Sequence, residues 1–297
     1  MRGIVIRPGF TPRRSMTDEN KPDPIYVNRM VSAQAQGGVP VRPDRVLDIT
    51  VPPRPSPPVF DSRLLDSPFL SRVERQALRE AMGSPTLVSA YTDLVREDGR
   101  AGDLILIAHG WGGRYATTRQ GGRQFLALLV PGDVANLDTL LFDRLDYGVL
   151  TLTEASIVRL RRGDVAALAA QHAGIARSFT WLAIQDNATL GQWALSLGRR
   201  SARARLAHLL CELSTRLAAE HQGRSRFRLP LTQEHLADVL GLTSVHVNRM
   251  MRELRDQGLI EAGDRVITIP NVAKLHREGD FDPGYLHAGS VPVLHLV

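Results

Sequence analysis

The chain has 297 residues, 43% of them hydrophobic, with a single cysteine and a net charge of +6, which is enough for two modest domains with ample core. One cysteine excludes an internal disulfide framework and cannot by itself hold structural zinc or an iron–sulfur cluster. No apolar run is long enough to span a membrane, the N-terminus lacks the layout of a signal peptide, and a cytoplasmic, reducing location is expected. The positive balance, carried by arginine at all but two of the 37 basic positions, suits a polyanionic partner without proving one.

Residues 1–60 show no sustained helical or strand period. Seven prolines fall between Pro40 and Pro58, ending in VPPRPSPP, and predict a disordered or loosely draped leader. A proline-rich docking motif is the functional alternative, and Met16 and Met30 are alternative starts. Ser67 to Met82 predicts a packing helix with Phe69, Leu70, Val73, Ala77 and Leu78 on one face. From Ser84 to Leu160, short apolar runs alternate with glycine-bearing turns, which predicts an antiparallel β-roll over residues 61–172. Arg162 to Leu197 predicts a long helix, broken at Gly174 and stopped by Gly198. Its apolar positions mark 173–198 as core or as a dimer seam. Ser201 to His221 predicts another amphipathic helix, with arginines crowding its start (Arg199, Arg200, Arg203, Arg205) and the loop beyond it (Arg224, Arg226, Arg228).

The most informative stretch is LTQEHLADVLGLTSVHVNRMMRELRDQGLI, Leu231 to Ile260. With Gln233 as first position, Leu236, Leu240, Leu242, Val247 and Met250 fall where a helix-turn-helix turns apolar side chains inward. Ala237 and Gly241 fall where two steeply crossing helices need small ones. Thr232 and Thr243 stand at N-cap positions. Leu259 to Ile269 then reads as a two-stranded wing around Ala262, Gly263 and Asp264, and the tail packs Phe281 and Tyr285 back onto the body. Residues 199–297 are thus expected to form a winged helix-turn-helix domain, and the fold class is α+β.

The order of leading helix, β-roll, long helix and winged helix-turn-helix resembles the Crp/Fnr superfamily of bacterial transcription regulators. The likeness runs from about Phe60 to Ala288. It is densest in LGRRSARARLAHLLCEL and the helix-turn-helix, and it includes GWGGRYATTRQGGRQFLALLVPGDVANLD in the roll. It implies a homodimer joined along the long helix and bound to a two-fold site on double-stranded DNA, with room for RNA polymerase as a further partner and none for a membrane. Its recognition helix would present Ser244, Val245, His246, Asn248 and Arg249 to base edges. Arg249 matches the family arginine that reads a guanine, a base whose O6 and N7 accept two guanidinium bonds. Where the family commonly has a base-reading arginine and glutamate, this chain has Ser244 and Val245, so a different half-site is expected. Thr232, Thr243, Arg252, Arg255, Arg199 and Arg200 are candidates for phosphate contacts, which position without specifying.

Cyclic-nucleotide receptors of this family resemble one another in a Gly-Glu pair for the ribose and an Arg-Ser pair for the phosphate. Here Asn136-Leu137, or at best Leu137-Asp138, and Asp146-Tyr147 stand in their places, and an aspartate repels a phosphate. The roll is therefore expected not to bind cAMP, and no cofactor or metal site is predicted. The alternatives are a cyclic-nucleotide- or haem-responsive regulator of the same architecture and an adaptor whose winged helix binds protein. A remote fourth reading is an α/β-hydrolase, suggested by the His-Gly stretch LILIAHGWGG but lacking the Gly-x-Ser-x-Gly elbow. His109 and His172 read as boundary histidines, and Cys211 as an inert core thiol. No catalytic residue is predicted.

Overall fold

The computed structural model describes residues 62–287; the proline-rich leader, with Met16 and Met30, lies outside the described residues. The first helix, α1 (Arg72–Ala81), starts at a capping box in which Ser71 and Glu74 each accept the other's backbone N–H. Leu70 and Leu78 are buried as expected, but Val73 is 71% exposed. Val73 and Leu78 lie about 140° apart on a helix, too far for both to face the core.

Seven strands follow: β1 (Thr86–Val88), β2 (Asp93–Val95), β3 (Leu104–His109), β4 (Gly112–Thr117), β5 (Arg123–Leu129), β6 (Gly148–Thr151) and β7 (Ala155–Leu160). They form two sheets, ordered β1-β7-β3 and β2-β6-β4-β5, antiparallel throughout. The run LILI in β3 is apolar at every position because both faces are covered. Leu104 and Leu106 pack towards the helices, while Ile105 and Ile107 fill the space between the sheets, as side-chain alternation along a strand requires. These antiparallel sheets are not the parallel, helix-alternated sheet of an α/β-hydrolase. The glycines of HGWGG have a packing role: a Cβ on Gly113 would lie 2.5 Å from the Phe125 ring.

Helix α2 (Arg162–Gln171) and helix α3 (Ala173–Arg199) are separated at His172, not at Gly174. Gly174 lies inside α3 and serves a close approach. Its N–H donates to Glu74 Oε1 at 2.8 Å, and a Cβ would sit 2.5 Å from that carboxylate and from the Phe69 carbonyl. Gly198 does not stop the helix, which runs on to Arg199.

Helix α4 (Ala202–Arg216) ends earlier than the sequence suggests, because Glu220 and His221 leave it to form β8 (Glu220–His221) against β9 (Arg224–Arg228). Then come α5 (Gln233–Leu240), α6 (Ser244–Asp256), the wing strands β10 (Glu261–Gly263) and β11 (Val266–Ile269), and α7 (Val272–Gly279). The wing sheet has the order β10-β11-β9-β8. It packs Phe227, Ile267 and Ile269 onto Leu206, Leu210, Leu254 and Leu275 of the helices, and Trp111, Phe125, Leu128 and Leu152 of the roll join the same core. The architecture is α+β, with a roll, a long helix and a winged helix-turn-helix.

Candidate nucleic-acid interface

Local chemistry sets the crossing of α5 and α6. Thr232 accepts from His235 N at 3.1 Å, and the His235 ring accepts from Thr232 N, closing a capping box at the start of α5. Gly241 ends the helix in the left-handed region at φ 60°, where a side chain would be strained. The N–H groups of Gly241 and Leu242 both return to the Ala237 carbonyl. Thr243 then caps α6 by accepting from His246 N. Leu236, Ala237, Leu240, Val247 and Met250 are buried, joined by Met251 and Leu254, and Leu242 is half-buried.

That packing leaves one face of α6 free. Val245 is 76% exposed, His246, Asn248, Arg249, Arg252 and Arg255 are exposed, and Ser244 is half-buried. Arg249 has only a loose 3.9 Å approach to Glu253, so its guanidinium keeps its donors available. His246 is less free: its Nδ1 lies 3.0 Å from Thr243 Oγ1, folded back on the cap. Thr232, Thr243 and Arg199 are exposed as well.

Arg200 does not belong to this surface. Its side chain is 7% exposed, and it donates to the Gln192 carbonyl and side chain, to Ser196 Oγ and to Asp280. Its neighbours are also committed. Arg203 grips Glu278 with two 2.6 Å bonds, and Arg205 donates to the Leu240 and Arg200 carbonyls. The carboxylates that consume this cluster arrive from α7 and the residue after it, some 75 to 80 positions away. No local pattern reveals such partners.

The roll meets the reader through β5. Arg123 binds Asp238 of α5 through two nitrogens, at 3.1 and 2.7 Å, and Gln124 donates to the carbonyls of Asp238 and Val239. His235 packs against Tyr91 and Phe125, and burial lowers its pKa. Deeper in, Arg216 of α4 reaches Asp133 and the Leu128 carbonyl of the roll and also Glu212. Burial opposes the charge on Asp133, but Arg216 and Arg63 beside it hold its carboxyl below the usual range. Glu212, fully buried, takes further donors from Trp193 and Tyr285. His208 stacks on Tyr285 and meets Phe281 edge-on, and its burial lowers its pKa. Cys211 is buried, which raises its thiol pKa.

Between the roll and α3 lies a cavity of about 330 Å³. Leu137, Asp146 and Tyr147 line it; Asn136 does not. Asn136 is buried and structural, accepting from Ile105 N and donating to the Asp103 carbonyl. Three arginines line the cavity and all are engaged: Arg63 with Asp133 and Gln185, Arg114 with Asp186 and two carbonyls, and Arg216 as above. Burial raises the Tyr147 phenol pKa. Among the described residues no cluster of three or more His, Cys, Asp or Glu could hold a metal ion, and no helix is long and apolar enough to cross a membrane.

Two family models match, a cyclic nucleotide-binding domain over residues 88–172 and a Crp-like helix-turn-helix domain over residues 204–278. The chain is 31% identical over 176 residues to the transcriptional activator protein FnrL of Cereibacter sphaeroides, covering 57% of this chain and 70% of that one. It is 25% identical over 181 residues to the nitrogen fixation regulation protein FixK of Azorhizobium caulinodans, covering 61% and 72%. The solved structure of FixK2 from Bradyrhizobium japonicum superposes with a TM-score of 0.60 at 25% identity, over 65% of this chain and 96% of that one. With both family domains matched and with these relatives, the chain belongs to the Crp/Fnr superfamily of DNA-binding transcription regulators.

Proposed function

We propose that two copies of the chain join along α3 and read a two-fold DNA site through the N-terminal half of α6. The observation that carries this reading is the free face of α6, where Val245, Asn248, Arg249 and Arg252 are exposed around a rigidly capped helix. Arg249 reads a guanine, Val245 meets a thymine methyl, and Thr232, Thr243, Arg199, Arg252 and Arg255 hold phosphates. Arg200 is left out, because its side chain is buried and both terminal guanidinium nitrogens are engaged within the chain. The dimer seam follows from α3. Ile184 and Leu195 are 56% and 44% exposed. Gly191 and Gly198 share their stripe at three- and four-residue steps, and a Cβ on either would meet nothing within 4 Å. Mid-helix glycine costs roughly 1 kcal/mol relative to alanine, a cost that a close helix–helix approach offsets. Two readers so joined stand roughly 34 Å apart, one turn of DNA.

Gel-shift titration on a duplex selected from a random pool tests this. Arg249→Ala is expected to weaken binding by about 1–3 kcal/mol and to relax discrimination at one base pair, with two chains bound per duplex. Unchanged affinity and specificity would remove Arg249 from the interface.

The roll, by the same reading, does not take cAMP. A buried phosphate needs a free cation, and the arginines of the cavity are already bound to Asp133, Asp186, Glu212 and Gln185. Calorimetry with cAMP and cGMP is expected to show no heat of binding; micromolar affinity for either would reverse this conclusion.

A further inference from the structure

We propose that the outward face of β9 is a second DNA contact, an arginine row that holds phosphates flanking the part of the operator read by α6. It rests on the reading of α6 given above. The row is Arg224, Arg226 and Arg228, which alternate with buried Ser225 and Phe227. In sequence these arginines look like loop residues; the strand turns all three to one side. Their side chains are exposed, and none makes a hydrogen bond or ion pair to the described residues. This sets them apart from Arg200, Arg203, Arg205 and Arg216, each of which has an anionic or carbonyl partner.

A solvated face would be the ordinary explanation, and the crowding of like charge weighs against it. The short β8 pairs only with Ser225 and Arg224, so the end of β9 that carries Arg228 is open along that side. Like charges stacked on one face of a strand repel one another, and the strand neighbours do little to offset this. Val266 stands opposite Arg228, Thr268 opposite Arg226 and His221 opposite Arg224. The acids of this sheet, Glu220 and Glu261, lie opposite Ser225 and Thr268, and neither pairs with the row. An external polyanion supplies what the fold does not.

Connectivity ties the row to the reader. Arg228 is beside the wing turn, where exposed Arg265 accepts from Leu229 N at 2.8 Å through its carbonyl. Beyond Arg228, Leu229, Pro230 and Leu231 lead directly to the Thr232 cap of α5. The row therefore starts beside the caps and the wing and extends away from them. From Arg224 to Arg228 it spans about 14 Å at the usual strand rise, which matches about four base pairs at roughly 3.4 Å each.

The test compares two duplexes carrying the selected core, one ending at the core and one extended by about ten base pairs, one turn, at each end. The full-length wild-type protein is expected to bind the extended duplex more tightly and with a steeper salt dependence. The variant R224A/R226A/R228A is expected to lose that gain, its log–log salt slope on the long duplex falling by about 0.9 for each phosphate it no longer neutralises. On the short duplex it should match wild type, and R224K/R226K/R228K should keep most of the gain. A triple-alanine variant indistinguishable from wild type on the long duplex, with Arg249→Ala still impaired on both, would overturn the row alone. If Arg249→Ala is also without effect, the reading of α6 falls with it.

Discussion

Arginine serves two opposite purposes in this chain. On α6 and β9 it is exposed and has no strong partner, whereas Arg203 and Arg216 of α4 and Arg63, Arg114 and Arg123 at the roll are tied to carboxylates that come from far along the sequence. Residue type does not separate the two groups; the arrival of a distant acceptor does. Arg199 and Arg200 are adjacent, yet one is exposed and the other is 7% exposed and locked to Gln192, Ser196 and Asp280. On the proposed reading the exposed arginines serve DNA binding and leave folding nearly untouched, while the internal ones hold the roll, the helices and the tail together.

The largest expected effect comes from Arg216. Replacing it with alanine strands Asp133 and Glu212 as buried carboxylates, each short of a partner, and a broken buried pair of this kind costs about 3–5 kcal/mol. Denaturant unfolding measures it, and a loss below about 1 kcal/mol, the range of an exposed pair, would break the contrast between the two groups. Arg249→Ala is the complement, with a binding cost of about 1–3 kcal/mol and no change in the unfolding midpoint. A change in unfolding of the same size as the loss in binding would merge the two groups into one. The smallest effect sharpens the internal side. Burial depresses the His208 pKa in the folded state, so below the unfolded value of about 6.5 the unfolded chain binds more protons than the folded one. Stability is then expected to fall as pH drops from about 6.5 through the folded pKa. His208→Gln should flatten that slope in unfolding measured across this range; an unchanged slope would show that His208 takes no part in it.

The helix-turn-helix is legible in the sequence because everything that makes it is local. Caps at Thr232 and Thr243, a left-handed glycine and inward positions at fixed offsets all lie within Leu231 to Ile260. The wing hairpin is legible for the same reason, through its turn. β8 and β9 are not, because RSRFR has one apolar side chain and too weak an alternation to announce a strand. Propensity puts the break in the long helix at Gly174, yet that glycine answers to a carboxylate a hundred residues earlier. Likeness to a family pair puts Asn136 in the pocket, while its amide in fact closes the gap between Ile105 and Asp103. The Arg123–Asp238 and Arg216–Asp133 pairs join segments more than eighty residues apart, beyond the reach of any periodicity.

Arg216 has one more consequence. Its backbone belongs to α4, whose buried side chains support α6, and its guanidinium forms part of the wall of the cavity beside α3. Any guest that needs the space or the charge now supplied there must push on a lever rooted in the reader itself. Chamber and helix-turn-helix therefore share a component.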